Sequence, residues 1–368
     1  MLLINTQREA LLAPLQSVSG IVDRKHTLPI LSNVLIEKSG DQLTWLATDI
    51  EMQIRTQASG VGGAEDAAVT VGARKLQDIL RSLPEGASVS VMLEDRKLTL
   101  KSGRSRFNLQ TLPSQDYPRM VQPAGEAVRF QISQKSLKRL LAQVQFAMAQ
   151  QDIRYYLNGL LLIASDSDLK AVATDGHRLA FASTPLESSV NHIDAILPRK
   201  TVLELSRLLA DSDDPIEINL GGNQVMFRFG SIELISKLID GKFPDYERVI
   251  PKSHTKLLTM PRIRLLQALQ RAAILSNEKL RSVRFLLSAG SLKIVSGNAE
   301  QEEAEEDIEL GYDGEPLEIG FNVTYLLDML MNLTDENVEC RLHDVNSSAL
   351  ITLPGNERFR YVVMPMRI

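Results

Sequence analysis

The chain has 368 residues, 44% of them apolar, and a net charge of −5 at pH 7. The apolar share is ordinary for a globular protein, and the length accommodates two or three domains. No run of about 18 apolar residues occurs and the N-terminus lacks the basic region and cleavage site of a secretory signal, so we expect neither a membrane span nor export. The single cysteine, Cys340, excludes an internal disulfide and predicts a small buried side chain in a protein of the reducing cytoplasm.

Six amphipathic helices are predicted along the chain, two in each third, with short strands between them. The predicted helices are Thr6–Val22, Ala73–Leu83, Ser133–Ala149, Arg199–Ala210, Pro261–Leu275 and Asn322–Leu333. Thr6 with Glu9 reads as a capping box, and Ser133 and Thr259 are candidate N-caps.

Between the helices, apolar and polar residues alternate as in half-buried strands. Residues 88–103 and 215–230 each predict two strands around a tight turn. Residues 43–56 and 169–183 predict matching strand pairs around a Thr-Asp turn. Two helices packed on antiparallel sheet predict an α+β fold in each third.

The sequence around these turns occurs three times. Residues 28–52 reappear at 153–179 and, less closely, at 280–304. Asp49 and Asp175 are 126 residues apart, and Gly176 aligns loosely with Asn298 after 122 residues. This period is the size of a domain rather than of a solenoid repeat. With the proline-bearing stretches as boundaries, we predict domains at 1–122, 129–250 and 254–368, in a chain that is more typical of a scaffold than of a single-site enzyme.

Charge is segregated along the sequence. The predicted helices carry thirteen basic and four acidic side chains, whereas the whole chain is acidic. Basic helices favour a surface for phosphates. Residues 300–307 contain six acids, and a basic cluster lies in the first third at Arg96, Lys97, Lys101, Arg104 and Arg106. Opposite patches at the two ends favour head-to-tail association, which closes into a ring if the rotation permits.

Motifs of common enzymes are missing from the sequence: it has no P-loop, no H-E-x-x-H, no G-x-S-x-G and no clustered cysteines and histidines. The stretch Thr174–Arg178 (TDGHR) invites a catalytic interpretation of Asp175 and His177. The first copy keeps Thr-Asp but has neither the histidine nor the arginine. We therefore expect a structural role for Asp175, with His177 and Arg178 specific to the second domain.

Several longer stretches identify a family. They are TLPILSN, GRSRFNLQTLP, QDIRYYLNGLL, VATDGHRLA, DGKFPDYERV, RAAILSNEK, NAEQEEAEE, EIGFNVTYLLD and YVVMPMRI. With them the chain resembles, over its whole length, the bacterial DNA polymerase III beta subunits, the replicative sliding clamps. The resemblance implies three DNA-clamp domains per subunit in a head-to-tail homodimeric ring that encircles double-stranded DNA. It implies a processivity factor with no catalytic residues, no cofactor, no metal site and no membrane partner.

The resemblance also implies three sets of site residues. The DNA-binding set is Arg24, Lys25, Gln151, Tyr155, Arg199 and Lys200. The partner-peptide groove is Leu157, Thr174, Gly176, His177, Arg178, Leu179, Pro244, Arg248, Val249, Val362, Val363, Met364, Pro365 and Met366. The dimer interface is Lys75, Arg104, Arg106, Phe107 and Leu109 on one subunit, with Ile274, Leu275, Glu300, Glu303 and Glu305 on the other. The implied groove partners are the DNA polymerase III alpha subunit, the clamp loader, other polymerases and repair factors.

Two alternatives stay open at the level of the sequence. One is an enzyme with a site at a domain junction, centred on Asp175, His177 and Arg178. The other is a monomeric peptide-binding scaffold that never touches DNA.

Overall fold

The computed structural model describes residues 2–22, 28–59, 66–122 and 127–367, and all six predicted helices lie within them. They are α1 (Arg8–Val18), α2 (Ala73–Ser82), α3 (Gln134–Ala142), α4 (Arg199–Leu208), α5 (Arg262–Ile274) and α6 (Val323–Met331). Each ends earlier than predicted. After α1 the chain tightens into a 3₁₀ turn at Ser19–Ile21, and shortly after α3 it forms another at Gln145–Ala147.

The strands of the described residues, numbered along the chain, form three antiparallel sheets. The first contains, in spatial order, β1 (Leu2–Gln7), β6 (Ser88–Glu94), β7 (Lys97–Ser102), β8 (Ser105–Leu112), β5 (Ala67–Gly72), β2 (Asn33–Ser39), β3 (Gln42–Thr48), β4 (Met52–Ser59), β14 (Ile232–Lys237), β13 (Gln224–Phe229), β12 (Pro215–Gly221) and β9 (Val128–Ser133). The second contains β10 (Gly159–Thr174), β11 (Arg178–Pro198), β22 (Asn356–Val363), β21 (Ala349–Leu353), β20 (Asn337–Leu342) and β15 (Lys256–Pro261). The third contains β18 (Glu303–Glu309), β17 (Ser291–Gly297), β16 (Ser282–Ser288) and β19 (Leu317–Asn322).

The sheets extend across the predicted domain boundaries. Strand β14 pairs with β4, and β22 pairs with β11. The second third of the chain therefore supplies four strands to the first sheet and two to the second. The chain divides accordingly into two compact units, residues 1–135 with 203–238, and residues 136–202 with 239–368.

The predicted capping box at the start of α1 is wrong. Thr6 lies in β1, where it pairs with Val89, and the helix follows directly after the strand. The N-cap residue is Gln7, whose side chain makes no capping hydrogen bond. The carboxylate of Glu9 instead accepts a hydrogen bond from the backbone N–H of Gly86 at 3.1 Å, which lowers the pKa of Glu9.

The predicted N-cap of α5 is wrong for the same reason. Thr259 belongs to β15, and Pro261 occupies the cap position. Ser133 does immediately precede α3, as predicted. At α6 the side chain of Asn322 is a true cap, accepting a hydrogen bond from the N–H of Thr324 at 2.9 Å.

The Thr-Asp turns have the same hydrogen bonds in the first and second copies. Thr48 Oγ1 donates to the carbonyl four residues later at 2.8 Å, and Thr174 Oγ1 does so at 2.6 Å. A carboxylate oxygen of Asp49 accepts from the amide three residues later at 2.7 Å, and that of Asp175 does so at 3.0 Å. Both aspartates therefore build the turn, as expected from the sequence.

In the third copy the equivalent residue is Asn298. Its Oδ1 accepts hydrogen bonds from the amides of Glu300 and Glu302 at 3.1 and 3.0 Å. Asn298 thus corresponds to Asp175 and not to Gly176, to which the spacing loosely assigned it. The third turn is one residue longer, because Asn298 Oδ1 accepts from the amide four residues later, where the aspartates of the first two turns accept from the amide three residues later.

The interior of both units is mainly apolar. Cys340 is buried in β20, and burial raises the pKa of its thiol to about 12, so the predicted inert apolar role is confirmed. No helix within the described part of the chain is long and apolar enough to cross a lipid bilayer.

One position in the first turn is strained. Ile50 has φ +77°, and Gly176 has φ +91° at the same place in the second copy. Glycine adopts this conformation freely, whereas a β-branched side chain there costs about 1–3 kcal/mol.

We expect Ile50→Asn to stabilise the first unit by about 1 kcal/mol, because asparagine tolerates positive φ. Urea unfolding followed by the fluorescence of Trp45 measures this, since Trp45 is the one tryptophan of the chain and is buried in the same sheet. Ile50→Val keeps the branched side chain and is the control. Equal urea midpoints for the two variants would contradict the strain.

Candidate functional site

Most of the predicted groove residues meet where β10 and β22 end and β11 begins. Leu179 on β11 pairs with Val362 on β22, and the N–H of Met364 donates to the carbonyl of His177 at 3.0 Å. Leu157, Leu179 and Val362 belong to one buried apolar cluster that also contains Phe243. This cluster forms an apolar floor beside the TDGHR turn.

The rim of this groove is exposed. Gly176, His177, Pro244, Arg248, Val249 and Met364 are all exposed, whereas Thr174 and Leu179 are buried. Pro365 and Met366 are half-buried, and Met366 leaves the second sheet to bridge Gly320 in the third. A buried apolar floor beside an exposed rim with a methionine suits the binding of short extended peptides.

Two predicted groove residues lie on the opposite face of the second sheet. Arg178 pairs with Val363, one position along from the Leu179–Val362 pair, and strand side chains alternate between faces. Val363 is buried but lies outside the apolar floor. These two residues therefore support the groove from behind.

Arg178 is the most constrained cation of this region. Its side chain is 9% exposed and donates to Asp175 Oδ2 at 3.0 Å, Asp328 Oδ2 at 2.7 Å and the carbonyl of Phe146 at 2.7 Å. Its guanidinium carbon lies 4.4 Å from the ring centroid of Tyr325. Asp328 and Tyr325 are on α6, so Arg178 ties the TDGHR turn to that helix. No local pattern in the sequence marks Asp328 as the partner of Arg178.

The predicted DNA-contacting loop lies close to the groove. Gln151 is exposed with φ +57°, and Tyr155 is 58% exposed. Between them, Ile153 is 96% exposed, a residue that sequence reasoning did not single out.

Arg154, also missed from the sequence, joins this loop to the TDGHR turn. Its guanidinium pairs with Asp152 at 2.9 Å, and this hydrogen bond lowers the pKa of Asp152 to about 2. The same guanidinium lies over Gly176, where an added Cβ would come within 2.9 Å of Nη2. Any side chain larger than hydrogen at this position would displace Arg154.

The other predicted DNA residues differ in accessibility. Lys200 is exposed. Arg199 is half-buried, donates to the carbonyl of Met148 at 3.2 Å, and has its pKa lowered by burial and then by Arg178. Arg24 and Lys25 lie outside the described residues.

The helices carry the predicted excess of basic side chains, but several of these side chains already form ion pairs or hydrogen bonds within the subunit. Arg207 pairs with Glu204, Arg271 pairs with Glu306, and Arg262 donates to backbone carbonyls. Among the described helix residues, the exposed cations without an ion pair are Lys75, Arg81, Lys135 and Arg264. These are the side chains that phosphates could reach at the lowest cost.

The predicted dimer-interface residues lie on two open sheet edges. Within the described residues, strand β8 pairs with β7 along its length, but with β5 only at Thr111 and Leu112. Among the described strands, β18 pairs with β17 alone. In β8, Phe107 and Leu109 are half-buried, and on the β18 side Ile274 is 77% exposed and Leu275 is half-buried.

The two edges carry opposite charge. Arg104 and Arg106 are exposed at the start of β8, and Lys75 is exposed on α2. Glu300, Glu303 and Glu305 are exposed on or before β18. Within the subunit, Glu305 contacts Lys293 at 3.1 Å and Glu303 contacts Arg284 at 4.0 Å. Such surface pairs are weak and exchangeable, so the edge stays available to a second partner.

Repeated helix-on-sheet units, an apolar groove with an exposed rim and two open edges of opposite charge define a modular binding protein. Family models of the DNA polymerase III beta subunit match almost the whole chain: the N-terminal domain at residues 2–121, the central domain at 131–245 and the C-terminal domain at 247–367. The Beta sliding clamp of Pseudomonas putida is 50% identical over 364 residues, covering 98% of this chain and 99% of the relative. That of Escherichia coli K12 is 47% identical over 362 residues, with the same coverage.

Solved structures agree. The sliding clamp of Pseudomonas aeruginosa bound to griselimycin matches with a TM-score of 0.95 and 48% identity, covering 100% of both chains. Caulobacter crescentus pol III beta matches with a TM-score of 0.91 and 39% identity, covering 99% of this chain and 100% of that one. The chain belongs to the DNA polymerase III beta subunit family, the bacterial sliding clamps. This family consists of non-catalytic processivity factors, which sets aside the enzyme alternative.

The position of Arg178 gives a prediction about the support of the groove. Replacing Arg178 by Met leaves Asp175 and Asp328 without their partner in a site with little solvent, and should cost about 2–3 kcal/mol of stability. Scanning calorimetry measures the loss. Arg358→Met is the control, because it breaks an exposed pair with Asp168 on the same sheet and should cost less than about 1 kcal/mol. Similar losses in the two variants would contradict the supporting role of Arg178.

Proposed function

We propose that two copies of this chain close head to tail into a ring around duplex DNA, and that the ring slides while holding its partners in the groove. The observation that carries the proposal is the pair of open, oppositely charged edges on β8 and β18. The family consists of DNA sliding clamps of polymerase III, and in such a clamp these two edges would join the subunits.

The junctions inside the chain support this mode of assembly. Strand β4, which follows the first Thr-Asp turn, pairs with β14, the last strand of the second repeat. Strand β11, which follows the second turn, pairs with β22, the last strand of the third repeat. Strand β18 follows the third turn, and β8 is the last strand of the first repeat. A β18-to-β8 pairing between two subunits repeats the same junction.

The register of the internal junctions can be carried over to this pairing. Arg55 lies opposite Glu233 in the first junction, and Phe181 lies opposite Arg360 in the second. The equivalent pair between subunits places Glu305 opposite Arg106, with Ala304 opposite Phe107. Glu303 then lies on the same face as Glu305, within diagonal reach of Arg106.

Sliding requires weak and exchangeable contacts. Each phosphate neutralised releases counterions, so a protein that neutralises many phosphates binds tightly and moves slowly. We assign the phosphate contacts to Arg24, Lys25, Gln151, Tyr155 and Lys200, with Arg199 contributing least because its guanidinium is already bonded. None of these contacts reads base sequence.

The groove is assigned to partner peptides from the polymerase III alpha subunit, the clamp loader, other polymerases and repair factors, which compete for it. The apolar floor supplies affinity, and the exposed methionine and histidine adapt to different motifs. The proposal includes three domains, at 1–122, 129–250 and 254–368. It also includes a cytoplasmic location.

Retention on DNA tests encirclement. The protein is loaded by its clamp loader with ATP onto nicked circular DNA, and the complex is gel-filtered in moderate salt. We expect it to stay on the circles and to leave after the DNA is linearised, because a ring slides off free ends. Equal behaviour on both forms would reject the ring and favour the monomeric scaffold.

Charge reversal tests the subunit edges. Replacing Glu300, Glu303 and Glu305 by Lys should weaken the dimer at least tenfold, because several like charges then face each other across the edge. Analytical ultracentrifugation with fluorescence detection at nanomolar concentration measures the dissociation constant.

Two further variants make this test specific. Replacing Asp211, Asp213 and Asp214, acids of a turn in the first unit, by Lys changes the net charge equally and should leave the dimer intact. Adding Arg104→Glu and Arg106→Glu to the β18 variant should recover association. A β18 variant that stays dimeric at nanomolar concentration would refute the electrostatic assignment.

A further inference from the structure

A cavity of about 860 Å³ opens on the second sheet beside the groove. Its lining includes Phe181, Tyr246, Leu350, Lys170, Lys252 and Arg360. We propose that this cavity extends the partner groove and takes an acidic side chain of the partner peptide, placed two to four residues beyond the part held in the groove. The inference rests on the proposed peptide-binding function of the groove.

The cavity is continuous with the groove floor. Leu179 and Val362 in the groove and Phe181 and Leu350 in the cavity belong to the same buried cluster. Phe181 follows Leu179 by two residues on β11, and its cross-strand partner Arg360 precedes Val362 by two residues on β22. At about 3.3 Å per residue, Arg360 is about 7 Å beyond the groove floor, which two extended peptide residues span.

A single chain segment borders both sites. Pro244, Arg248 and Val249 belong to the predicted rim of the groove, whereas Tyr246 and Ile250 of the same segment line the cavity and pack on the shared cluster. A peptide that leaves the groove along this segment therefore passes directly into the cavity.

The chemistry of the cavity favours a carboxylate. The rings of Phe181 and Tyr246 stack with centroids 5.8 Å apart, and the guanidinium carbon of Arg360 lies 5.4 Å from the Phe181 centroid. Arg360 and Lys170 are half-buried, and no carboxylate of the described residues pairs with either of them. A carboxylate between them would form charge-assisted hydrogen bonds above an aromatic floor.

The remaining charges determine how many negative groups the site accepts. Arg358 is already paired with Asp168 at 2.8 Å. Glu247 and Glu357, both exposed, lie on the rim. These rim acids repel a nucleic-acid strand, which carries a phosphate at every nucleotide. They leave room for one carboxylate beside Arg360. A peptide is therefore favoured over single-stranded DNA.

The experiment uses the full-length protein and fluorescein-labelled peptides from the segment of the polymerase III alpha subunit that binds it. Each peptide is extended by Gly-Glu-Gly-Glu or by Gly-Gln-Gly-Gln, at one end or the other, and its dissociation constant is measured by fluorescence anisotropy at low salt. We expect the acidic extension at one end to tighten binding about two- to fivefold, the size typical of accessible ion pairs. Arg360→Gln should abolish this gain and leave the affinity of the neutral peptide unchanged.

Arg129→Gln is the matched control, because Arg129 is an exposed strand arginine in the first sheet, and this variant should keep the full gain. No gain at either end, or a gain that survives in Arg360→Gln, overturns the extension while the groove itself stands. Failure of the neutral peptides to bind the unmodified protein overturns the groove and the extension together. If labelled decathymidylate loses binding in Arg360→Gln while the peptide gain does not change, the cavity is a nucleic-acid site and the proposal is wrong.

Discussion

The pairing of one repeat's turn-following strand with the last strand of another repeat is the interaction on which the whole structure depends. It occurs between β4 and β14 and between β11 and β22, and it makes the first and second sheets continuous from one repeat into the next. An unpaired strand edge exposes N–H and C=O groups that another strand can use. The edges left on β8 and β18 are therefore the ends of a series, and in the proposed ring the basic edge of one subunit meets the acidic edge of the other.

The groove depends on the same junction. Its floor includes Leu179 and Val362, a cross-strand pair formed where β11 of the second repeat pairs with β22 of the third. On the other face of that pair, Arg178 joins the TDGHR turn to α6 and to the carbonyl of Phe146. One strand pairing thus creates an apolar binding surface on one side and a rigid polar support on the other.

Much of this organisation could be predicted from the sequence because the repeats share local chemistry. Alternation gave the strands, helical periodicity gave all six helices, and the matching Thr48 and Thr174 turns revealed the duplication. The predicted caps Thr6 and Thr259 were wrong because both residues pair in β-strands. Strand pairing is a long-range interaction that the local capping pattern does not reveal. The ends of α1 and α3 were overestimated because the 3₁₀ turns that follow them keep the same apolar pattern for several residues.

The parts that sequence could not reveal are long-range contacts. Asp328 is 150 residues from Arg178, and no local pattern marks it as the partner. The orientation of Arg178 away from the groove follows from its register against Val363, which depends on the pairing of distant strands. The roles of Arg154 and Ile153 depend on the backbone path of one short loop, and this path cannot be predicted from the residue types alone.

The shared sheets also constrain how such a chain arose. Each repeat has two strand edges, and each edge pairs with the other kind of edge on another repeat. A protein with a single copy would therefore already polymerise with itself head to tail. Fusing copies converts a contact between molecules into one within a chain, and the effective concentration of the two edges then no longer depends on the amount of protein made. Duplication here would have fixed the size of an assembly that existed before it. In the proposed ring, the edges on β8 and β18 form the junction that stays between molecules.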